Sequence, residues 1–378
     1  MKELGLYIHI PFCVKKCDYC DFISYCDKTK YIEEYVCALK NEIINELNKL
    51  HEQNEEYKIT TIYIGGGTPS SIDSKFIVEI LDQVKESNIY SKDIDVETTI
   101  EANPGTVTKT KLEDYIKAGI NRISIGLQET NNELLKQIGR IHTYEQFLET
   151  YELSRKVGFK NINVDLMIGL PNQSIENIKH SLEKIIELNP EHISVYSLIL
   201  EEGTKLYDRY KNNEIELPDE ELERNMYWYV KNTLENNGYN HYEISNFSKP
   251  GYESKHNTNC WKQKEYIGLG LAAHSYTDCK RYSNTDNLKE YIKCNCKTVH
   301  EEQNIEDMQK EYMLLGLRKI EGISIQKYKN KFGQNPIYIF RDELSKLVEE
   351  NLVQIDGDKI KLTNEGLDLA NLVWEEFV

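Results

Sequence analysis

The sequence predicts an α/β protein: a partial parallel (β/α)6 barrel over residues 1–280, followed by a helical, winged-helix-like appendix over 281–378. Three observations lead there. Six short β-branched runs alternate with helical patterns, residues able to do chemistry fall just after nearly every run, and past about residue 280 the alternation gives way to helices and one hairpin.

The six runs are 6–9, 61–64, 98–101, 122–126, 161–167 and 192–198. Each is nearly continuous in apolarity on at least one face, as strands of a parallel sheet covered by helices must be. Helical patterns occupy 31–50, 74–87, 110–118, 143–156 and 174–188 between them. Thr143 ahead of Glu145, and Ser174 three residues before Asn177, mark two of the helix starts. In the appendix, 352–363 reads as two strands around an Asp356-Gly357 turn, and 365–377 as a closing helix.

Composition narrows the function classes. A net charge of −17 argues against duplex nucleic acid as a partner, because phosphate binding needs a clustered basic surface. No run approaches the eighteen or so apolar residues of a membrane span, and no basic-then-apolar leader precedes the first strand. A cytoplasmic protein is therefore expected, with peripheral membrane contact left open. Nine cysteines, an odd count, make a disulfide framework unattractive in a reducing compartment.

Three of these cysteines lie in "HIPFCVKKCDYCDF", residues 9–22, just after the first run. A closed zinc site wants four ligands, and Cys13, Cys17 and Cys20 have no second pair nearby; His9 or Cys26 could complete a set only with strain. A 4Fe-4S cluster held by three thiolates keeps one iron open for a further ligand. The spacing favours the cluster, with zinc and inert structural cysteines as the alternatives. Cys26, Cys37, Cys279, Cys294 and Cys296 are read as incidental, the last two because Cys-x-Cys is too tight for the usual metal pair.

Further residues gather at the ends of the other runs: Gly65-Gly66-Gly67-Thr68-Pro69 after the second, Glu101 and Asn103 at the third, Gln128 after the fourth, Asp165 late in the fifth and Ile199 after the sixth. In parallel α/β barrels the site sits at the carboxyl ends of the strands. The CxxxCxxC motif, Tyr19 before its third cysteine, and GGGTP in that order resemble the radical S-adenosylmethionine superfamily. The resemblance implies that the open iron binds the amino and carboxylate groups of S-adenosylmethionine. Electron transfer from the reduced cluster then cleaves the sulfonium to a 5′-deoxyadenosyl radical. Glycines at 65–67 allow a close backbone approach to the methionyl end.

The chain resembles more narrowly the oxygen-independent coproporphyrinogen oxidase family. By that resemblance Tyr7, Tyr19, Gly66, Gly67, Thr68, Glu101 in "EANP", Gln128 in "GLQE", Arg140 in "IGRIH" and Asp165 in "NVDLM" contact S-adenosylmethionine, as do Ile199 and His274. Carboxylates suit ribose hydroxyls and the ammonium group, and a guanidinium suits a carboxylate. Coproporphyrinogen dehydrogenases of the family carry a fourth cysteine where this chain has Phe22, and a long segment before the first strand. Both departures are similar to the HemW-type heme chaperones.

These chaperones carry an HNxxYW motif proposed for heme binding, which reads here His256-Asn257-Thr258-Asn259-Cys260-Trp261, with cysteine in place of tyrosine. The resemblance implies that His256 and Cys260 could ligate heme iron and Trp261 could stack on the porphyrin, near the barrel mouth. A chaperone that binds heme and passes it to an acceptor protein is thus expected. The alternatives are a coproporphyrinogen III dehydrogenase, whose activity is expected to be absent, and a radical enzyme acting on another substrate.

Overall fold

The computed structural model describes every residue except 54, 55, 295 and 296, so Cys296 lies outside the described residues. One sheet of twelve strands runs through most of the chain. Its centre is β1 (Lys2–Ile10), β2 (Tyr57–Gly66), β3 (Glu97–Ala102), β4 (Arg122–Gln128), β5 (Ile162–Ile168) and β6 (His192–Ser197), each hydrogen-bonded in parallel to the next. The connections carry helices α1 (Ile32–Gln53), α2 (Ser74–Lys85), α3 (Lys109–Lys117), α4 (Asn132–Gln137), α5 (Tyr144–Val157) and α6 (Ile175–Leu188). This is the expected α/β architecture with a mostly parallel sheet.

Alternation along β1 shows why the sheet curves around a polar interior. Leu4, Leu6, Ile8 and Ile10 are fully buried, in the same core as Leu39 and Ile43 of α1. The intervening Gly5, Tyr7 and His9 sit in register with Thr61, Tyr63 and Gly65 of β2 and face inward with them. Both helix starts read from the sequence hold capping boxes, Thr143 with Gln146 and Ser174 with Asn177.

Beyond β6 come α7 (Lys205–Lys211), α8 (Glu220–Asn236), β7 (Asn240–Glu243), β8 (Asn246–Ser248) and α9 (Lys255–Trp261). Then β9 (Tyr266–Leu269) returns parallel to β1, and β10 (His274–Thr277), β11 (Lys280–Asn284) and β12 (Lys297–Glu302) extend that edge antiparallel. The expected boundary at 280/281 therefore cuts through the main sheet, which continues to residue 302. These strands are short and mixed in polarity, KTVHEE for β12, so no period of two announced them.

A second core, from Met313 to Phe377, lies under a small sheet of β13 (Ile323–Ser324), β14 (Val353–Asp356) and β15 (Lys359–Leu362). The closing helix expected over 365–377 is broken at Leu369, whose φ of −118° and ψ of 32° separate Asn364–Asp368 from Ala370–Glu375. The appendix is tied to the barrel where Glu243 bridges Lys319, and Arg318 lies 4.3 Å from the Trp261 ring and 4.8 Å from the Trp374 ring.

Candidate functional site

A cavity of about 160 Å³ opens at the carboxyl ends of the strands. Its wall contains Cys13, Cys17, Tyr19 and Cys20 from the loop after β1, and Gly66, Gly67 and Thr68 from the end of β2. Glu101, Gln128, Arg140 and Asp165 also line it, as does Tyr196 of β6, so residues from many separate stretches meet in one place.

The glycine segment is held by the cysteine loop. Gly67 N–H donates to the Ile10 carbonyl at 3.0 Å and Thr68 N–H to the Phe12 carbonyl at 2.8 Å. A Cβ on Gly67 would stand 2.8 Å from one of those carbonyl oxygens and 2.9 Å from the other, too close for any side chain. Gly66 has φ +106°, and a Cβ there would strike the His9 imidazole. The Thr68 hydroxyl in turn donates to Cys13 Sγ at 3.4 Å.

Charge is concentrated in this cavity. Arg140 donates through Nη1 to Cys17 Sγ at 3.4 Å, and through Nη2 to Asn103 Oδ1 at 2.8 Å and the Gly126 carbonyl at 2.6 Å. Glu101 accepts from the Tyr63 hydroxyl at 2.9 Å and Gly66 N–H at 3.1 Å. Protein surrounds that carboxylate, and burial, helped by the charge of Asp165, pushes its pKa up to about 7. Asp165 is also raised by burial, although Asn163 donates to it at 2.6 Å. Burial pushes the Cys13 thiol up and Cys20 up to about 11, so these thiols ionise readily only when a metal takes the proton's place. Gln128 has φ +66° at a register shift between β4 and β5, and its Oε1, like Arg140 Nε, is buried with no hydrogen-bond partner. Unpaired buried polar atoms beside paired acids leave room for a polar ligand.

The remaining expected residues lie elsewhere. Tyr7 is inside the barrel, its hydroxyl 3.0 Å from His9 Nδ1, beneath the cavity rather than in its wall. Ile199, 68% exposed, follows β6 and does not line the cavity. The loop before β10 does return to the mouth, with Gly270 packed on the His9 carbonyl, but His274 is exposed and stacks on His300 at 5.6 Å.

The largest correction concerns α9. It lies at the amino ends of the strands, opposite the mouth, because Glu97 at the start of β3 accepts from the Lys255 and His256 amides at 3.0 Å each. His256 is buried, its Nδ1 2.9 Å from the Thr61 hydroxyl and its ring 5.3 Å from that of Tyr63, and burial lowers its pKa to about 4. Cys260 is raised to about 11 by burial, and the Trp261 ring is occupied by Arg318. His256 and Trp261 thus have structural partners that the motif alone did not reveal.

Sequence reading also missed the barrel interior. Arg122, buried at the start of β4, places positive charge near Glu101, Asp165, His192 and His256. From Asp165 an unbroken set of hydrogen bonds passes to Asn163 (2.6 Å), from Asn163 Oδ1 to His192 (2.6 Å), and from His192 Nε2 to the Tyr242 hydroxyl (2.8 Å). The signal was available: these residues alternate with apolar ones along β4 to β6, the pattern of a lined interior.

Comparison with known proteins places the chain in a lineage. Residues 7–185 match the radical SAM superfamily, and residues 304–369 match the HemN C-terminal domain. Heme chaperone HemW of Lactococcus lactis is 38% identical, over all of this chain and 98% of its own length. The chain belongs to the HemW heme chaperone family. The HemW of Bacillus subtilis is 37% identical over 98% of both chains. The solved coproporphyrinogen III oxidase (HemN) of Escherichia coli, a radical SAM enzyme, shares the fold with a TM-score of 0.85 at 22% identity, covering all of this chain and 90% of that one.

Membership of the superfamily implies a 4Fe-4S cluster and S-adenosylmethionine. The donor set suits both: the three thiols of Cys13, Cys17 and Cys20 stand around one cavity and can each take a separate iron. The two acids and Arg140 are matched to a ligand carrying ammonium, hydroxyl and carboxylate groups. No helix among the described residues is long and apolar enough to cross a membrane.

Proposed function

We propose that this protein is a heme chaperone of the HemW type, which binds heme and delivers it to an acceptor protein in the cytoplasm. The single observation that carries the reading is likeness to HemW proteins along the full length of both chains, appendix included. Phe22 supports it: the loop exposes a phenylalanine, 60% accessible, where the related dehydrogenases carry a further cysteine.

In this reading Cys13, Cys17 and Cys20 hold the cluster. The bound cluster supplies one-electron chemistry and an open coordination site for S-adenosylmethionine. Thr68 and Arg140 brace Cys13 and Cys17 by donating to their sulfurs. Glu101 and Asp165 orient the cofactor's ammonium and ribose groups, and Gly66 and Gly67 admit its methionyl end, with Tyr19 and Gln128 closing the wall. A Glu101 that titrates near neutrality can hold or give up a proton at its Oε2 as charge arrives in the cavity.

Anaerobically reconstituted protein should bind about one heme per chain and show a Soret band with or without the cluster. Adding S-adenosylmethionine should perturb the spectrum of the reduced cluster, and Asp165→Ala should weaken that response without loss of iron. A protein that takes up no heme under these conditions refutes the chaperone reading.

A further inference from the structure

After Cys20 and Phe22 the cysteine loop turns back and runs beside its own first residues. Phe12 and Tyr25 form a parallel β-bridge, in which the Tyr25 amide donates to the Pro11 carbonyl at 2.7 Å and the Cys13 amide donates to the Tyr25 carbonyl at 3.0 Å. The returning segment is fixed at two further points. His9 Nε2 lies 3.0 Å from the Ile23 carbonyl, and the Tyr25 hydroxyl donates to the Asp286 carbonyl at 3.4 Å. One residue further along this register, Cys26 comes beside Cys13.

Side chains alternate along paired segments. Phe12 and Tyr25 pack with the main core, so Cys13 and Cys26 share the other face. Ser24, on that same face, reaches the Cys13 sulfur with its hydroxyl, and charge on Cys26 acts on Cys13 ahead of charge on Cys17. Neighbouring strands lie about 4.8 Å apart, within the roughly 4.4–6.8 Å that separates the Cα atoms of disulfide partners. The two thiols differ in access: Cys26 is exposed, whereas Cys13 is 9% exposed. Cys26 does not line the mouth cavity, which sets it apart from Cys13, Cys17 and Cys20.

We propose that Cys26 is the redox partner of Cys13, and that the cluster-free chain closes a reversible Cys13–Cys26 disulfide when it meets a peroxide. The exposed Cys26 sulfur attacks the peroxide, the O–O bond breaks, and a sulfenic acid forms as one water leaves. The Cys13 sulfur then attacks that sulfenic sulfur. The S–S bond forms, the S–O bond breaks, and the departing hydroxide takes the Cys13 proton to become a second water. Two thiols have lost two electrons, and one peroxide has been reduced by two. A dithiol reductant returns both electrons and both protons. While closed, the bond withdraws one of the three thiols that load iron, and it keeps Cys13 from the irreversible sulfinic state. Transient bonds of this kind are the disulfides that a reducing compartment allows. The proposal takes Cys13 as a cluster ligand and otherwise goes beyond the chaperone reading.

The test uses the full chain, stripped of iron by a chelator and reduced. It is treated with hydrogen peroxide, quenched with iodoacetamide and mapped by peptide mass spectrometry. Cys13–Cys26 should be the principal cross-link, iron and sulfide loading should be lost, and dithiothreitol should restore it; this arm needs no variant. Cys26→Ser, at an exposed position, should load its cluster as wild type does before oxidation. After peroxide and then dithiothreitol it should stay unloaded, with sulfinic acid at Cys13. A principal cross-link between Cys17 and Cys20, or none at Cys13, overturns the proposal. So does a Cys26→Ser chain that recovers its iron as wild type does, or one that takes up no cluster before oxidation.

Discussion

Replacing Glu101 by Gln isolates the electrostatics at the mouth cavity. The Glu101 carboxyl rises from 4.5 to about 7, burial being the largest cause, with the Tyr63 hydroxyl bond opposing it and the charge of Asp165 adding to it. Below about pH 4.5 the group is protonated in both folded and unfolded chains and contributes no pH dependence. Between 4.5 and about 7 the unfolded chain ionises first, so stability falls as pH rises, and above about 7 the full penalty is present. The shift corresponds to roughly 3 kcal/mol at most, and water in the cavity reduces this to about 1–3 kcal/mol. Gln keeps an acceptor for Tyr63 or Gly66 and removes the charge. Any lost hydrogen bond is a pH-independent offset that cancels when two pH values are compared. Urea unfolding of the cluster-free protein at pH 5 and pH 8 should show the variant gaining about 1–3 kcal/mol on the wild type between the two. A gain under about 0.5 kcal/mol would refute a buried carboxylate poised near neutrality.

Three further outcomes are expected. Cys17→Ala should abolish the absorption near 400 nm of a reconstituted 4Fe-4S cluster, and full retention of iron and sulfide would reject the three-cysteine assignment. Gly67→Ala must push the Ile10 and Phe12 carbonyls aside, costing about 1–3 kcal/mol in denaturant unfolding and the optical response to S-adenosylmethionine; a variant as stable and responsive as wild type would contradict the close approach. Asn163→Ala leaves Asp165 and His192 without their shared partner, and should cost about 2–4 kcal/mol in the same unfolding assay, against under 0.5 kcal/mol if the interior bonds are dispensable.

Much of this was legible because strands, caps and mouth residues obey local rules. The six parallel strands are apolar on the helix-covered face, and Thr143 and Ser174 announce their helices by capping chemistry. The mouth residues were found because motif order places them at strand ends. What escaped depends on contacts between distant segments. Strands β7 to β12 are too short for a period, and β12 is almost wholly polar. The direction in which α9 points is set by Glu97, over 150 residues earlier in the chain, so the motif alone did not reveal the contacts of His256 with Thr61 and of Trp261 with Arg318.

The central claim is that the chain handles heme as cargo and does not transform its precursor. One anaerobic sample, with cluster reconstituted and reduced by dithionite, can be given S-adenosylmethionine and coproporphyrinogen III, and a portion of it titrated with heme. The account predicts stoichiometric heme uptake with coproporphyrinogen left unconsumed. Decarboxylation of coproporphyrinogen by that sample, with no heme retained, would contradict it.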